Sequence, residues 1–381
     1  MNRLLSILIL ATSFQAFSGT WIKKSNFGGV GRHRAVGGSV NNRGYLGLGH
    51  VNGTGVDISY KDWWEYDPSS DSWTQRADFP VPNHGAIAFS AIECIFVGGG
   101  SALNGEFYKY NPLTNSWSPT AACPISPGDI QAFSVNDKGY VISGNSLVEY
   151  DAMNNSWQTK SNVPVAVNAW SASFSIGSSG FVKTGVNFFE YKPGEDTWIV
   201  RSSFPGLSSG GSYGFAADDE GYITCGYFSG LSNVTDEVWK FNPALNEWLQ
   251  VEIFPGTNRR FPVAFSINGK GYFGTGTNGI NMNDFWQYDP SFTLGIEDLI
   301  DVSVNVYPNP FVENLTIQLD SQLSEIGLTY HVTDLTGKLV KSGQIDSEKV
   351  HLSMIDTNPG TYIVSLFYGD KKIKDLKVIQ I

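Results

Sequence analysis

From residue 19 to residue 290 the chain alternates apolar and polar positions in short runs, with the two-residue period of half-buried strands. Gly139–Ser143 is one such run and Leu147–Tyr150 the next. The Asp and Asn/Ser cluster after Tyr150 then turns the chain into a run carrying Trp157, because Asx, Pro and Ser residues favour turn geometry. Phe-Pro or Val-Pro pairs (Phe79-Pro80, Val163-Pro164, Phe204-Pro205, Phe254-Pro255) break the strand pattern and open the connection to the next unit.

The unit repeats. Tyr66/Trp73, Tyr110/Trp117, Tyr150/Trp157, Tyr191/Trp198 and Phe241/Trp248 are each seven residues apart. The earlier strand in each unit is marked by Gly44-Tyr45, Gly139-Tyr140, Gly180-Phe181, Gly221-Tyr222 and Gly271-Tyr272, with Cys94-Ile95 in that place in the second unit. Four strands in roughly 40 to 52 residues is the period of a propeller blade. Tyr288-Asp289-Pro290 starts a sixth such segment, but Gly295 stands where its Trp is due. The missing Trp is Trp21, so the N-terminal segment is expected to supply the last blade's outer strand and close the ring. The sequence thus predicts an all-β chain with a six-bladed β-propeller over residues 19–294. Its repeated aromatics are read as core between stacked sheets.

Composition narrows the function. The formal net charge is −11 with no Lys/Arg-dense run, which excludes the electrostatic footprint of a nucleic-acid binder. Arg3, the apolar stretch Leu4 to Ala11 and Ala16-Phe17-Ser18 read in order as a secretory signal over residues 1–18. No transmembrane segment is expected in the mature chain. The three cysteines, Cys94, Cys123 and Cys225, fit no disulfide framework and read as buried thiols.

After Pro290 Gly and Trp thin out, and residues 295–303 read as a linker. Six or seven short strands with Gly turns follow, predicting a small β-sandwich over 304–381. Within it lie Tyr307-Pro308-Asn309-Pro310, Asp334-Leu-Thr-Gly337-Lys338, Pro359-Gly360-Thr-Tyr362 and a Lys-bearing final strand, while His331 and His351 read as strand residues.

Two resemblances rest on these motifs. The Gly-Tyr strand, the Tyr-Asp-Pro turn and the spaced Trp resemble the kelch repeat. The double glycine of that repeat is present as Gly98-Gly99 and reduced elsewhere, for example to Ser143-Gly144 and Thr275-Gly276. The C-terminal motif set resembles the sorting domain of the type IX (Por) secretion system. That resemblance implies a Bacteroidota-type route through the periplasm to the outer cell surface or the medium, with the secretion machinery as partner.

Chemistry on a propeller is expected where loops converge at the channel mouth. Alignment of the units brings Arg34, His84, Asp129, Trp170, Gly211 and Phe261 to equivalent positions, with Arg32, His33, Arg259 and Arg260 beside them. Arg presents a planar fork of donors suited to a carboxylate or an acidic sugar. Asp62, Asp236 and Asp284 precede third strands and read as turn acceptors. No calcium loop, nucleophile elbow, phosphate loop or zinc pattern occurs, and no metal or cofactor is expected. The copper-oxidase branch of kelch proteins fits poorly, since His33, His50 and His84 are the propeller's histidines and no Cys stands out as a partner. The reading is a ligand-binding module for glycan or protein. The alternative is an isomerase resembling the kelch-type sialic acid epimerases and mutarotases.

Overall fold

The computed structural model describes residues 19–290 apart from 54, 126–130, 169 and 252, and residues 304–381 apart from 320–327, 346 and 369–370. The signal at 1–18 and the linker at 295–303 lie outside the described residues. The chain divides into two compact units between Ser291 and Phe292.

All regular structure among the described residues of the first unit is β. Six four-stranded antiparallel sheets follow one another, and Ala132–Val135, Lys138–Ser143, Ser146–Asp151 and Ser156–Lys160 are typical. The seven-residue spacing is the hairpin that sets Trp opposite Tyr. Gly139 pairs with Tyr150 and Tyr150 with Trp157, and the same rows recur as Gly44–Tyr66–Trp73 and Gly180–Tyr191–Trp198. In the last sheet the row is Gly271–Tyr288–Trp21, because Thr20–Lys24 pairs with Phe285–Asp289. Strands from the two ends of the unit therefore share a sheet, as the missing Trp predicted.

The row glycines are packing notches. A Cβ on Gly139 would lie 2.2 Å from the Phe89 ring of the preceding sheet, and one on Gly180 or Gly221 would lie 2.1 Å from Phe133 or Phe174. The second unit inverts this arrangement. It has Ile95 in place of the glycine, and the position matching Phe89 in the sheet before it is Gly38, whose Cβ would stand 3.9 Å from Ile95. Ring and notch have exchanged sides of one seam.

Five of the seams are also stapled by hydrogen bonds, whereas the buried Trp21 indole of the last sheet has no such partner among the described residues. The turn residue Asn155 accepts the Tyr150 hydroxyl (2.7 Å) and the N–H of Ala121 (2.8 Å), while the Trp157 indole donates to the Ala121 carbonyl (2.9 Å). Asp71 with Ser25, Asn115 with Ala77 and Asp196 with Ser161 repeat the set. At the Ser202 seam Asn246 and Trp248 keep their two bonds, but Phe241 has no hydroxyl to add a third. The first strands of the six sheets, Val36–Val40, Ile87–Ala91, Ala132–Val135, Ala172–Ile176, Tyr213–Ala217 and Val263–Ile267, neighbour one another in a closed cycle. Cys94, Cys123 and Cys225 are buried free thiols.

In the second unit Asn305–Tyr307, Asn314–Gln318 and Lys349–Ser353 form one sheet. Leu339–Ile345, Leu328–Asp334, Gly360–Tyr368 and Lys371–Gln380 form another, and Leu315, Ile317, Val332, Val364 and Val378 share one core. Asn309 acts as a short surrogate strand, for its Oδ1 accepts the N–H of Ile379 and its Nδ2 donates to Lys377 O, both at 3.0 Å. Asp334 closes the Gly337-Lys338 turn by accepting the Thr336 and Lys338 N–H groups, and the Tyr362 hydroxyl donates to Asn358 O at 2.6 Å. His331 stands on a strand with its ring against Phe367, and His351 bonds Thr316.

Candidate functional site at the channel mouth

In five of the loops that enter a first strand the last turn comes two residues before the strand, and there the backbone is left-handed; the matching position before Ala132 lies outside the described residues. Arg34 (φ 51°), Gly85 (65°), Trp170 (63°), Gly211 (64°) and Phe261 (56°) occupy this position. They are tied into a belt: Gly85 N–H donates to Arg34 O (3.0 Å), Arg34 to Phe261 O (3.3 Å), Phe261 to Gly211 O (2.8 Å) and Gly211 to Trp170 O (2.7 Å). Glycine meets this conformation without strain, whereas an L side chain pays about 1–2 kcal/mol. Arg34, Trp170 and Phe261 are therefore costly choices at a place where two other units use glycine.

The belt corrects the sequence alignment by one residue in the second unit, where Gly85 rather than His84 holds the equivalent position. The loop there is registered by Asn83, whose Oδ1 accepts three bonds, from His84 N, Ala102 N and the Ser101 hydroxyl. Asp129 lies outside the described residues.

Two of the four candidate arginines are committed to the protein itself. Arg32 and Arg259 are fully buried. Arg32 donates to Val30 O, Leu48 O and both oxygens of Asp62, and Arg259 to Thr257 O, Thr275 O and both oxygens of Asp284. They are removed from the set of ligand candidates, because both side chains are fully buried and four of the five N–H donors of each are bonded within the fold. Asp62 and Asp284 are correspondingly ion-pair partners, not plain turn acceptors, and each also accepts an indole N–H, from Trp64 and Trp286. Burial works to raise the Asp284 carboxyl, but the Arg259 hydrogen bonds and charge outweigh it and hold the pKa low. In the fifth unit Glu237 rather than Asp236 takes the indole of Trp239. Lys183 carries the cation nearby, over Phe204 and donating to Ser208 O at 2.6 Å, with burial pulling its pKa down to about 7.

Of the other two arginines, Arg34 lines the mouth and Arg260 stands beside its lining residue Phe261. Arg34 lies over Trp170 (4.8 Å) and Phe261 (5.0 Å), and Arg260 over Phe261 (5.7 Å). Burial and then the charge of Arg34 lower the pKa of Arg260. Tyr227 completes an aromatic wall with Trp170 and Phe261. The half-open space lined by Arg34, Gln131, Trp170, Ser212 and Phe261 is about 60 Å³. A water needs roughly 10–15 Å³ on this measure, so the cavity admits a few waters or one small chemical group.

Beside this wall stands a stack of histidines that sequence reading named but did not connect. His33 Nδ1 is 2.8 Å from Asn281 Oδ1, which makes that nitrogen the donor and leaves Nε2 to accept from His50 Nε2–H at 2.7 Å. The His50 ring stacks on His84, with centroids 3.9 Å apart, and His84 Nδ1 meets the hydroxyls of Ser59 and Ser101. Burial pushes His33 down to about 4, assisted by Arg34 and Arg260. Burial and the charge of His33 push His50 down to about 3. Both are neutral at pH 7. Only the loop geometry joins these histidines, since they come from different connections and share no spacing.

Comparison with known proteins bears on both units. Residues 305–380 match the family described as secretion system C-terminal sorting domain. The C-terminal unit is a type IX sorting domain. The chain is therefore exported by that system to the cell surface or the extracellular space, and the secretion machinery is a partner of this unit. A curated relative, ulvan lyase NLR42 of Nonlabens ulvanivorans, is 31% identical over 105 residues, which is 27% of this chain and 19% of that protein. The chain thus spans about a fifth of that relative's length. The solved structure of YjhT is similar to 69% of this chain and covers 96% of its own, at a TM-score of 0.58 and 17% identity. That likeness shows a propeller-like all-β fold. No helix among the described residues is long and apolar enough to cross a membrane.

Proposed function

We propose that residues 19–294 form a six-bladed kelch-type propeller closed by Thr20–Lys24, and that its channel mouth is the binding site of an exported module for glycan or protein ligands. Residues 1–18 are its signal peptide, 295–303 a linker and 304–381 a sorting sandwich of the Bacteroidota type. The sequence candidates that stand at or beside the mouth are His33, Arg34, His84, Trp170 and Arg260.

One observation carries the binding reading. Arg34, Trp170 and Phe261 hold a left-handed backbone that glycine would occupy freely. Strain kept at a cavity mouth, and only there in the loop, supports side chains selected for contact with something outside the fold. A carbohydrate ligand is favoured by the aromatic wall beside two arginines, and by the name of the lyase relative. The test is a glycan array probed with the mature full-length protein and with Trp170→Ala. Retention of every hit by the variant would remove the mouth from the account.

The isomerase reading has one observation in its favour. The His33–His50 pair beside the arginines is neutral at pH 7 and so presents imidazole in its base form, though a weak base, next to the mouth. Anomer exchange of sialic acids followed by NMR, with and without Arg260→Ala, separates the two. Fast exchange that depends on Arg260 would replace the binding-only view.

A further inference from the structure

The second and third strands of each sheet are joined at the mouth end. In three sheets that connection is long, residues 48–62, 225–237 and 275–284, against 144–145 and 185–186 in the third and fourth sheets. The first strands of these three, Val36–Val40, Tyr213–Ala217 and Val263–Ile267, adjoin in the cycle. The long connections are held at their roots by the entry loops. The Tyr227 N–H donates to Gly210 O, Arg260 and Thr277 exchange a pair of backbone bonds, and His33 and His50 exchange another, all within 2.8–3.1 Å. Neighbouring sheets are tied as well, for the Asn258 amide donates to Val234 O and the Arg32 N–H to Met282 O, both at 3.2 Å.

The tips above these roots share one chemistry although the connections differ in length and sequence. Each turns on a glycine in the left-handed region, Gly55 (φ 78°), Gly230 (116°) or Gly279 (117°), and the next residue is an exposed aliphatic, Val56, Leu231 or Ile280. Chain neighbours aside, no described atom lies within 4 Å of where a Cβ on any of the three glycines would stand, so the tips rise free. Exposed Ile58 follows Val56 on the same strand, and exposed Val30 precedes Gly31, which packs against the backbone of Asn281 beside the Ile280 tip. Asp57 is the one Asp, Glu, Lys or Arg in the spans His50–Ser59, Tyr227–Val234 and Thr277–Asn281.

The other end of the sheets has a different character. Its first-to-second-strand turns expose Glu93, Asp137, Asp218 and Asp219. Leu113, Met153 and Leu245 are exposed too, but on third-to-fourth-strand turns at the same end as those carboxylates. The unit is thus apolar and uncharged along one arc of its mouth end and acidic at the opposite end.

We propose that Val56, Leu231 and Ile280 are lipid-docking tips, which seat the exported protein on an electrically neutral membrane surface with its mouth end toward the lipid. Separate convex aliphatic tips on a fixed base need no matching pocket in a fluid bilayer, which closes around each of them. The arc lacks the lysines and arginines that draw a protein to anionic headgroups, and the net charge of −11 opposes such an approach. Export to the cell surface or the extracellular space brings the protein to where a lipid surface is met. Docking through the tips asks nothing of the ligand at the mouth. It also leaves the side of the third and fourth sheets, where the connections are short, away from the lipid.

Sedimentation of the mature full-length protein with phosphatidylcholine vesicles, at lipid on the order of 0.1–1 mM, tests the assignment. The protein is expected to pellet with these vesicles and to pellet less when phosphatidylglycerol replaces part of the lipid. Binding is expected to persist in molar salt, which screens charge attraction. The combined variant Val56→Ser, Leu231→Ser and Ile280→Ser is expected to bind at least about tenfold more weakly, with an unchanged thermal midpoint showing that it is folded. Leu113→Ser with Met153→Ser, at the acidic end, is expected to bind as the unaltered protein does. Absence of pelleting would overturn the lipid assignment. Self-association in gel filtration that the combined variant abolishes, without vesicle binding, would make the tips a contact between copies instead. Equal losses in both variants would overturn the mouth-end tips as the docking site, and binding abolished by salt would overturn apolar docking.

Discussion

Arg32 and Arg34 are two residues apart, and they do opposite work. The Arg32 guanidinium is buried against Asp62 and Leu48 O, so Arg32→Ala leaves an uncompensated carboxylate and is expected to cost about 3–5 kcal/mol in urea unfolding. Arg34 pays for its backbone, and Arg34→Gly is expected to keep or raise the thermal midpoint while binding at the mouth is lost. A large fall in midpoint would show that the arginine is structural. The histidines give a pH signature at the same scale. Their folded pKa values, about 4 for His33 and about 3 for His50, lie below the unfolded value near 6.5. The unfolded chain therefore binds more protons between those limits. Their stabilising contribution is complete above pH ~6.5 and falls as pH drops toward 4 and then 3. Urea midpoints measured at pH 7, 6 and 5 are expected to decline more steeply than in His50→Gln, and parallel slopes would refute the assignment.

At the scale of the elements the repeat was highly legible, because one Tyr–Trp spacing encodes a hairpin register and a register fixes which faces pack. The row glycines were visible too, but their reason was not: nothing in the residues around Gly139 says that Phe89, fifty positions earlier in the chain, needs its Cβ to be absent. The exchange of Gly38 and Ile95 for the usual ring and notch is the sharpest test of that packing. Ile95→Gly is expected to cost about 3–5 kcal/mol through a cavity, and Gly38→Phe to cost several through overpacking. The double variant is expected to recover much of the loss, since it rebuilds the pair found at the other seams. Additive losses in a double-mutant cycle would mean that the two positions do not share a seam. The mouth was only partly legible. Arg34 and Trp170 emerged from alignment alone, whereas Arg32 and Arg259 looked the same as their neighbours until burial and partners separated them. A one-residue difference in loop register put His84 where Gly85 belongs, and loop register carries no periodic signal.

For the whole molecule, sequence separated the two units and gave each a destination or a shape. Trp21 opposite Tyr288 makes the first unit depend on both of its ends. Removing residues 19–24 exposes the edge of Phe285–Asp289 and is expected to lower the thermal midpoint and produce aggregates in gel filtration, by offering an unpaired strand to other chains. The second unit carries export. Deleting residues 304–381 is expected to hold the protein in the periplasm, as read by fractionation, and unchanged appearance outside the cell would contradict the sorting role. Neither experiment asks what the exported molecule does.

That question turns on the mouth, where Trp170 points a buried indole N–H at no internal acceptor. The most direct measurement is the ¹⁵N–¹H indole spectrum of the intact mature protein, with the Trp170 signal assigned by its absence in Trp170→Phe, during titration with an acidic saccharide. The account expects the Trp170 indole to move downfield and saturate while the seam indoles of Trp73, Trp117, Trp157 and Trp198 stay in place. A bound saccharide that leaves the Trp170 signal where it was would contradict it.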